Sequence, residues 1–247
     1  MLTASVASWA VWAPGVEDPD AWARWCLEPG PIGTDGAPPV TFIPPLVRRR
    51  CSRFSRMVLH VAFACCPPEG RTMAPTVFAS RHGDTSTNIA LLESLARGQA
   101  ISPTRFSHSV HNGAAGLFSI ATGNCQPSVS MAARGATFGL AFLETLLLLR
   151  RHASGQALLI AAEEPLPRPF DRFADGPEAA YAVAVLLRSG TDLSFEFGVG
   201  GHACTLRWPL ALEFVRWLLS GESRLEVAAQ GQRFAWGNAP ARVGNAP

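Results

Sequence analysis

The run Asn112-Gly113-Ala114-Ala115-Gly116-Leu117-Phe118-Ser119-Ile120-Ala121-Thr122-Gly123-Asn124-Cys125-Gln126-Pro127-Ser128-Val129-Ser130-Met131-Ala132 changes its character twice. Gly113–Ile120 is small and apolar with helical spacing, and Gly123–Gln126 reads as a turn. Pro127–Met131 then alternates, which predicts a strand. Ala136–Arg151 follows and is apolar nearly all round, so it predicts a helix buried inside the protein. Arg150, Arg151 and His152 close that helix, and Gly155 stops it. A helix, a strand and a buried helix in succession require a sheet covered by helices, so the chain reads as layered α/β.

Working outward to the C-terminus, Gln156–Ala162 and Tyr181–Leu187 are continuous apolar runs, the mark of strands covered on both faces. A Pro-rich loop separates them. Leu206–Ser220 predicts a helix with Leu210, Phe214, Trp217 and Leu218 on one stripe, and Leu225–Trp236 a strand or hairpin. Toward the N-terminus, Ser86–Ala96 predicts a helix with its core on Ile89, Leu92 and Leu95, and Thr76–Ser80 a strand. Val47–Cys66 predicts one helix, with Phe54, Met57, Val58, Val61, Ala62 and Cys65 on one face. Arg48, Arg49, Arg50, Arg53 and Arg56 crowd its start, where positive charge opposes the helix dipole. Two readings stand for them: solvated or acid-paired arginines, or a docking patch (Arg48, Arg49, Arg53) for an acidic carrier or partner. Glu28–Pro45 reads as a long loop, Asp18–Cys26 as a helix capped by Asp18, and Val6–Trp12 as a strand.

The 247 residues are 48% apolar and 16% charged, enough for a real core and too ordered in composition for a disordered chain. All 21 basic residues are Arg, and against 19 acids the net charge is +2, too even for an electrostatic nucleic-acid binder. A surface this short of charge means either a large core or a partner that covers part of it, and the second reading is carried forward. No apolar stretch reaches the roughly 20 residues of a membrane span, and no basic region precedes the apolar start. The six Cys (Cys26, Cys51, Cys65, Cys66, Cys125 and Cys204) form no CxxC and no zinc spacing. They read as reduced, mostly buried thiols of a cytosolic protein. Gly198-Val199-Gly200-Gly201 lacks the spacing of a dinucleotide loop. Nothing in these patterns asks for a cofactor or a metal.

Two stretches resemble the ketosynthases of fatty-acid and polyketide synthesis, which have the thiolase fold. Asn112-Gly113-Ala114-Ala115-Gly116, continuing to Pro127-Ser128-Val129-Ser130-Met131-Ala132, is similar to the run in which an "N…AG…G" helix leads to a P-S-I-S-x-A strand. Arg168-Pro169-Phe170-Asp171 with Asp175-Gly176 is similar to R-P-F-D-x-x-R-D-G. The Arg-rich helix and Ser80-Arg81-His82-Gly83 resemble short, ketosynthase N-terminal-domain-like proteins of aryl-polyene and xanthomonadin-type pathways. The resemblance implies a thiolase-like αβα fold, about one half of a ketosynthase. Residues 1–190 would be the N-terminal-like domain and 191–247 a helix and strand extension packed on it. It also implies a chain-length-factor-like subunit paired with a full-length ketosynthase, and contact with an acyl carrier protein and its phosphopantetheine arm.

The departures from the family concern chemistry. Condensation needs a thiolate at the start of the buried helix, favoured by the dipole there. Counting along the family pattern from Pro127, that position is Gly135, which has no side chain. The two further catalytic groups come from the second half of the fold, and His202 does not match their motifs. The place of the G-E-G-A-G strand is Glu178-Ala179-Ala180-Tyr181-Ala182, which partly fills the room for a substrate. The resemblance therefore implies no catalytic residue, with Asn112, Gly116, Phe118, Thr122, Val129 and Met131 at the interface or the acyl tunnel. Phe118 is the candidate wall of that tunnel, and ordinary core is its other reading. From another class, an independent acyl-transfer or thioester-cleaving enzyme would use Cys125, Ser107 or His111, although no GxSxG elbow occurs.

Overall fold

The computed structural model describes residues 1–200 and 206–238. In chain order the elements are β1 (Leu2–Trp12), α1 (Pro19–Leu27), α2 (Pro45–Arg48), α3 (Arg53–Cys65), α4 (Pro68–Met73), β2 (Thr76–Ala79), α5 (Thr85–Ala96), α6 (Pro103–Ser107) and α7 (Gly113–Thr122). They continue with β3 (Ser128–Met131), α8 (Thr137–Arg151), β4 (Gln156–Glu163), β5 (Tyr181–Val199), α9 (Leu210–Ser220), β6 (Arg224–Ala229) and β7 (Gln232–Asn238).

All the strands form one seven-stranded sheet in the order β3-β2-β4-β5-β7-β6, with β1 on the other edge of β5. β2 runs parallel to β3 and β4, and the remaining pairs are antiparallel. The pleat sorts the side chains into two cores. Leu158, Ile160, Ala182, Ala184 and Leu186 pack under α3 and α7. Their neighbours Leu159, Ala161, Val183, Val185 and Leu187 pack under α8 and α9. Both faces are therefore dry, which is why β4 and the first half of β5 read as unbroken apolar runs. Burial stabilises by about 1.5–3 kcal/mol for each such large side chain. The result is three layers, αβα. No helix among the described residues is long and apolar enough to cross a membrane.

Several expectations need correction. The single helix over Val47–Cys66 is two, α2 and α3, because Ser52 turns out of the helix and caps α3, its hydroxyl accepting from Ser55 N at 3.1 Å. The core of α5 is not Ile89, Leu92 and Leu95. Leu91 is its buried residue, and Leu92 and Leu95 are exposed. α8 buries one face, through Phe138, Ala141, Phe142, Thr145, Leu146 and Leu149, while Leu140, Leu143, Leu147 and Leu148 stay half-exposed. α9 starts at Leu210 rather than Leu206, since Pro209 keeps Trp208 out of the helical region.

β5 extends far past Leu187: Leu193, Phe195 and Phe197 alternate with polar residues, and the first two are buried. It runs unbroken across residue 190, and β6 and β7 lengthen the same sheet. Leu225–Trp236 is a hairpin whose turn places Gln230 (φ 53) and Gly231 (φ 73) in the left-handed region, as a two-residue turn between twisted strands requires. Cys65 and Cys66 are buried, Cys26 and Cys51 half-buried and Cys125 exposed, so the thiols are less buried than expected. Gly201, His202, Cys204 and residues 239–247 lie outside the described residues.

Candidate functional site

β2 and β4 are parallel, and the chain leaves both at the same end of the sheet, beside the start of α8. Between β3 and α8 lies a tight 3-10 turn, Arg134–Ala136, with Arg134 in the left-handed region at φ 52. Thr137 holds the turn. Its hydroxyl donates to Arg134 O at 2.7 Å and accepts from Ala133 N at 2.8 Å. Gly135 therefore sits at the positive end of the α8 dipole. It lines a cavity of about 290 Å³ with Phe138, Tyr181, Leu210, Glu163 and Arg81. A Cβ on Gly135 would stand 3.8 Å from Gln230 Nε2 of the hairpin turn, an ordinary contact.

An ion-pair chain frames the cavity. Glu163, at the end of β4, accepts from Arg81 N at 2.6 Å and from Ser80 Oγ at 3.3 Å. The Arg81 guanidinium lies 3.6 Å from Glu163 and 3.3 Å from Asp175, and Asp175 also meets Arg134 at 3.0 Å. Desolvation pushes the Glu163 carboxyl up to about 7, against the pull of Arg81 and of its hydrogen bonds. Burial likewise raises the Tyr181 hydroxyl above its usual range. This chain of charges fixes the mouth of the cavity, and no thiol stands among the described residues that line it.

The other residues singled out in the sequence fall in three places. Asn112 and Gly116 are exposed on α7, and Thr122 spends its hydroxyl on Phe118 O at 2.8 Å. Phe118 itself is only 2% exposed and packs edge-to-face on Phe63. Val129 and Met131 lie on β3, which among the described residues pairs with β2 alone and leaves its other edge open. Arg53 is tied down: it pairs with Glu164 at 2.7 Å and donates to Thr34 O and Gly36 O. Arg48 is half-buried and Arg49 exposed, without an ion pair among the described residues.

Ser107 donates to Thr104 O, His111 Nε2 bonds to Ser80 O and Cys125 lies at a surface turn near Gly123 O. No hydrogen bond links these three to one another among the described residues. Burial pushes the Cys65 thiol up to about 11 and the Cys66 thiol up to about 12, away from nucleophilic character.

Sequence reasoning missed Glu163, Glu164 and Gln230. Two acids closing an apolar strand were the available signal for the first pair. Gln230 had none, because a hairpin turn reaches the cavity only through the tertiary packing of β6 and β7.

The model of the beta-ketoacyl synthase N-terminal domain matches residues 22–237. No curated protein sequence matches the chain. Among solved structures it is similar to a chain in the complex of ketosynthase (ApeO) with its chain length factor (ApeC) from Xenorhabdus doucetiae. That likeness has a TM-score of 0.83 and 27% identity, over 96% of this chain and 100% of that one. The ishigamide ketosynthase/chain length factor is similar at TM-score 0.60 and 14% identity, over 80% of this chain and 67% of that one. A beta-ketoacyl synthase from Burkholderia phymatum STM815 is similar at TM-score 0.60 and 14% identity, over 82% and 66%. At that identity the last two show the fold alone, the thiolase-like ketosynthase fold, and the chain spans about two thirds of each. With a helix, an edge strand and a tight turn into a cavity at Gly135, and with the family model matching most of its length, this chain belongs to the beta-ketoacyl synthase N-terminal domain family.

Proposed function

We propose that the chain is a chain-length-factor-like subunit that pairs with a full-length ketosynthase, as in aryl-polyene and related polyketide or fatty-acid-type synthesis, and forms no carbon–carbon bond itself. The observation that carries this reading is Gly135: the turn, the dipole and the cavity are present, and the residue between them has no side chain. Covalent catalysis by a thioester has no atom to start from there. The solved complex of a ketosynthase with its chain length factor supports the pairing. Its matched chain is covered whole, so it is of this chain's size, whereas the other two chains are covered to 66–67%.

The open edge of β3 would be a template for unwanted pairing in a lone subunit, and a partner strand would cover it. The outer face of α7 presents Ile120, 60% exposed, with Gly116. In this reading the outer face of α7 meets the partner and shapes its acyl tunnel, and Phe118 sets the height of the helix from beneath. Arg48 remains free to meet an acidic partner or carrier, whereas Arg53 serves the fold.

Co-expression with a full-length ketosynthase, followed by sizing, tests the reading. A 1:1 complex that makes product, with this chain alone inert toward acyl thioesters, is the expected result. Turnover of an acyl thioester by the chain alone, lost on changing Cys125, Ser107 or His111, would replace it with the independent enzyme. Phe118→Ala in the complex should broaden the product lengths, and an unchanged distribution removes the tunnel role.

A further inference from the structure

On the opposite side of the sheet from Gly135, a second cavity of about 370 Å³ opens between the start of α3, α5, α6 and α7. We infer that it is a binding site for a phosphate-bearing small molecule or group. Arg49, Arg50 and Arg105 line it together, with Ser52 and His108. None of the three meets a carboxylate among the described residues. Asp84 is the one acid in the lining, and it is engaged: its Oδ1 accepts from Thr87 N at 3.0 Å to cap α5.

Three guanidiniums around one concavity give it a positive potential that favours an anion. The 13-residue helix α3 begins at its wall, through Ser52, Phe54 and Ser55, and adds the positive end of its dipole. Guanidinium forks match phosphate oxygens in pairs, and hydroxyls and an imidazole supply further hydrogen bonds. The concave shape and a volume within the range of small-molecule sites favour a compact phosphate over the broad face of an acidic protein. This inference does not rest on the pairing with a ketosynthase, and its test reads binding alone.

The test is calorimetric titration of the full chain with inorganic phosphate and pyrophosphate at an ionic strength held constant with chloride. Saturable binding is expected, tighter for pyrophosphate. The double substitution Arg49→Gln/Arg105→Gln, both exposed side chains, should leave the circular dichroism melt in place and weaken binding by about tenfold or more. Two further probes separate the sources. A neutral peptide bearing one phosphoserine would bind more tightly than pyrophosphate if the phosphoryl group arrives on a protein, and more weakly if it arrives on a free organic phosphate. No saturation by any phosphate probe, unchanged affinity in the folded double variant, or competition by polyglutamate alone would overturn the inference. The last result would assign the arginines to an acidic protein surface.

Discussion

The Phe234 ring of β7 occupies the space beside Gly139 of α8, so that a Cβ on Gly139 would stand 2.6 Å from it. The C-terminal hairpin is thereby keyed into the helix that follows Gly135. Gly139→Ala should force the ring or the helix aside and cost about 1–3 kcal/mol. A chemical-denaturation midpoint checks this, and Gly139→Ala combined with Phe234→Leu should recover part of the loss. An unshifted midpoint for the single variant would show that the hairpin does not pack there.

Glu163 holds its proton to a higher pH in the folded chain than in the unfolded one, because its carboxyl is pushed up to about 7 by burial. Its contribution is therefore fullest below the ordinary carboxylate pKa and is lost as pH rises toward 7. Stability should fall over that window by up to about 3 kcal/mol from this group. Glu163→Gln keeps the shape and should flatten the pH dependence of the melting temperature between pH 5 and 8. A variant with the wild-type slope would remove Glu163 as the source.

Arg53 and Glu164 are a pair of unequal burial, with side chains 31% and 7% exposed. Arg53→Met should leave the Glu164 carboxylate buried without a counter-charge and release the carbonyls of Thr34 and Gly36. The expected loss is about 2–3 kcal/mol, somewhat below that of breaking a fully buried pair, since water reaches Arg53. Urea denaturation reads it. Adding Glu164→Gln to Arg53→Met should restore part of the stability, which a purely steric role for Arg53 would not allow.

Gly135→Cys should fold well. The nearest atoms to its Cβ are 3.8 Å or more away, and the glycine is not in the left-handed region. The melting temperature should stay near that of the parent, within about 0.5 kcal/mol in stability. In a Cys125→Ser background, the new thiol should react with a small alkylating agent through the open cavity, detected by mass spectrometry. Absence of labelling in the folded variant would show that the cavity does not reach Gly135.

Ile120→Arg places a charge on the outer face of α7 without touching its packed face. The chain should keep its fold and lose binding to its ketosynthase by about tenfold or more, as expected when a charge is buried unpaired in an interface. Size-exclusion of the co-expressed pair measures it. A complex of unchanged yield and affinity would move the interface away from α7.

The sequence by itself determined the layered α/β class, because the apolar runs of β4 and β5 can exist only between two covering layers. It also determined that Gly135, and no thiol, precedes the helix after the Pro127–Met131 strand, since residue identity and order do not depend on packing. Local chemistry was legible where it is local: Asp18 caps α1, and the Gln230-Gly231 turn lies inside a span read as a strand or hairpin. Only the tertiary structure decided what the charges do. Arg53 and Glu164, or Arg81, Glu163 and Asp175, are far apart along the chain, and the sheet brings them together. Arg49, Arg50 and Arg105 likewise line one cavity only in the folded chain, where α6 packs on α5. A charge announces its sign in the sequence, but its partner is fixed by distance in space, and that distance is set by packing.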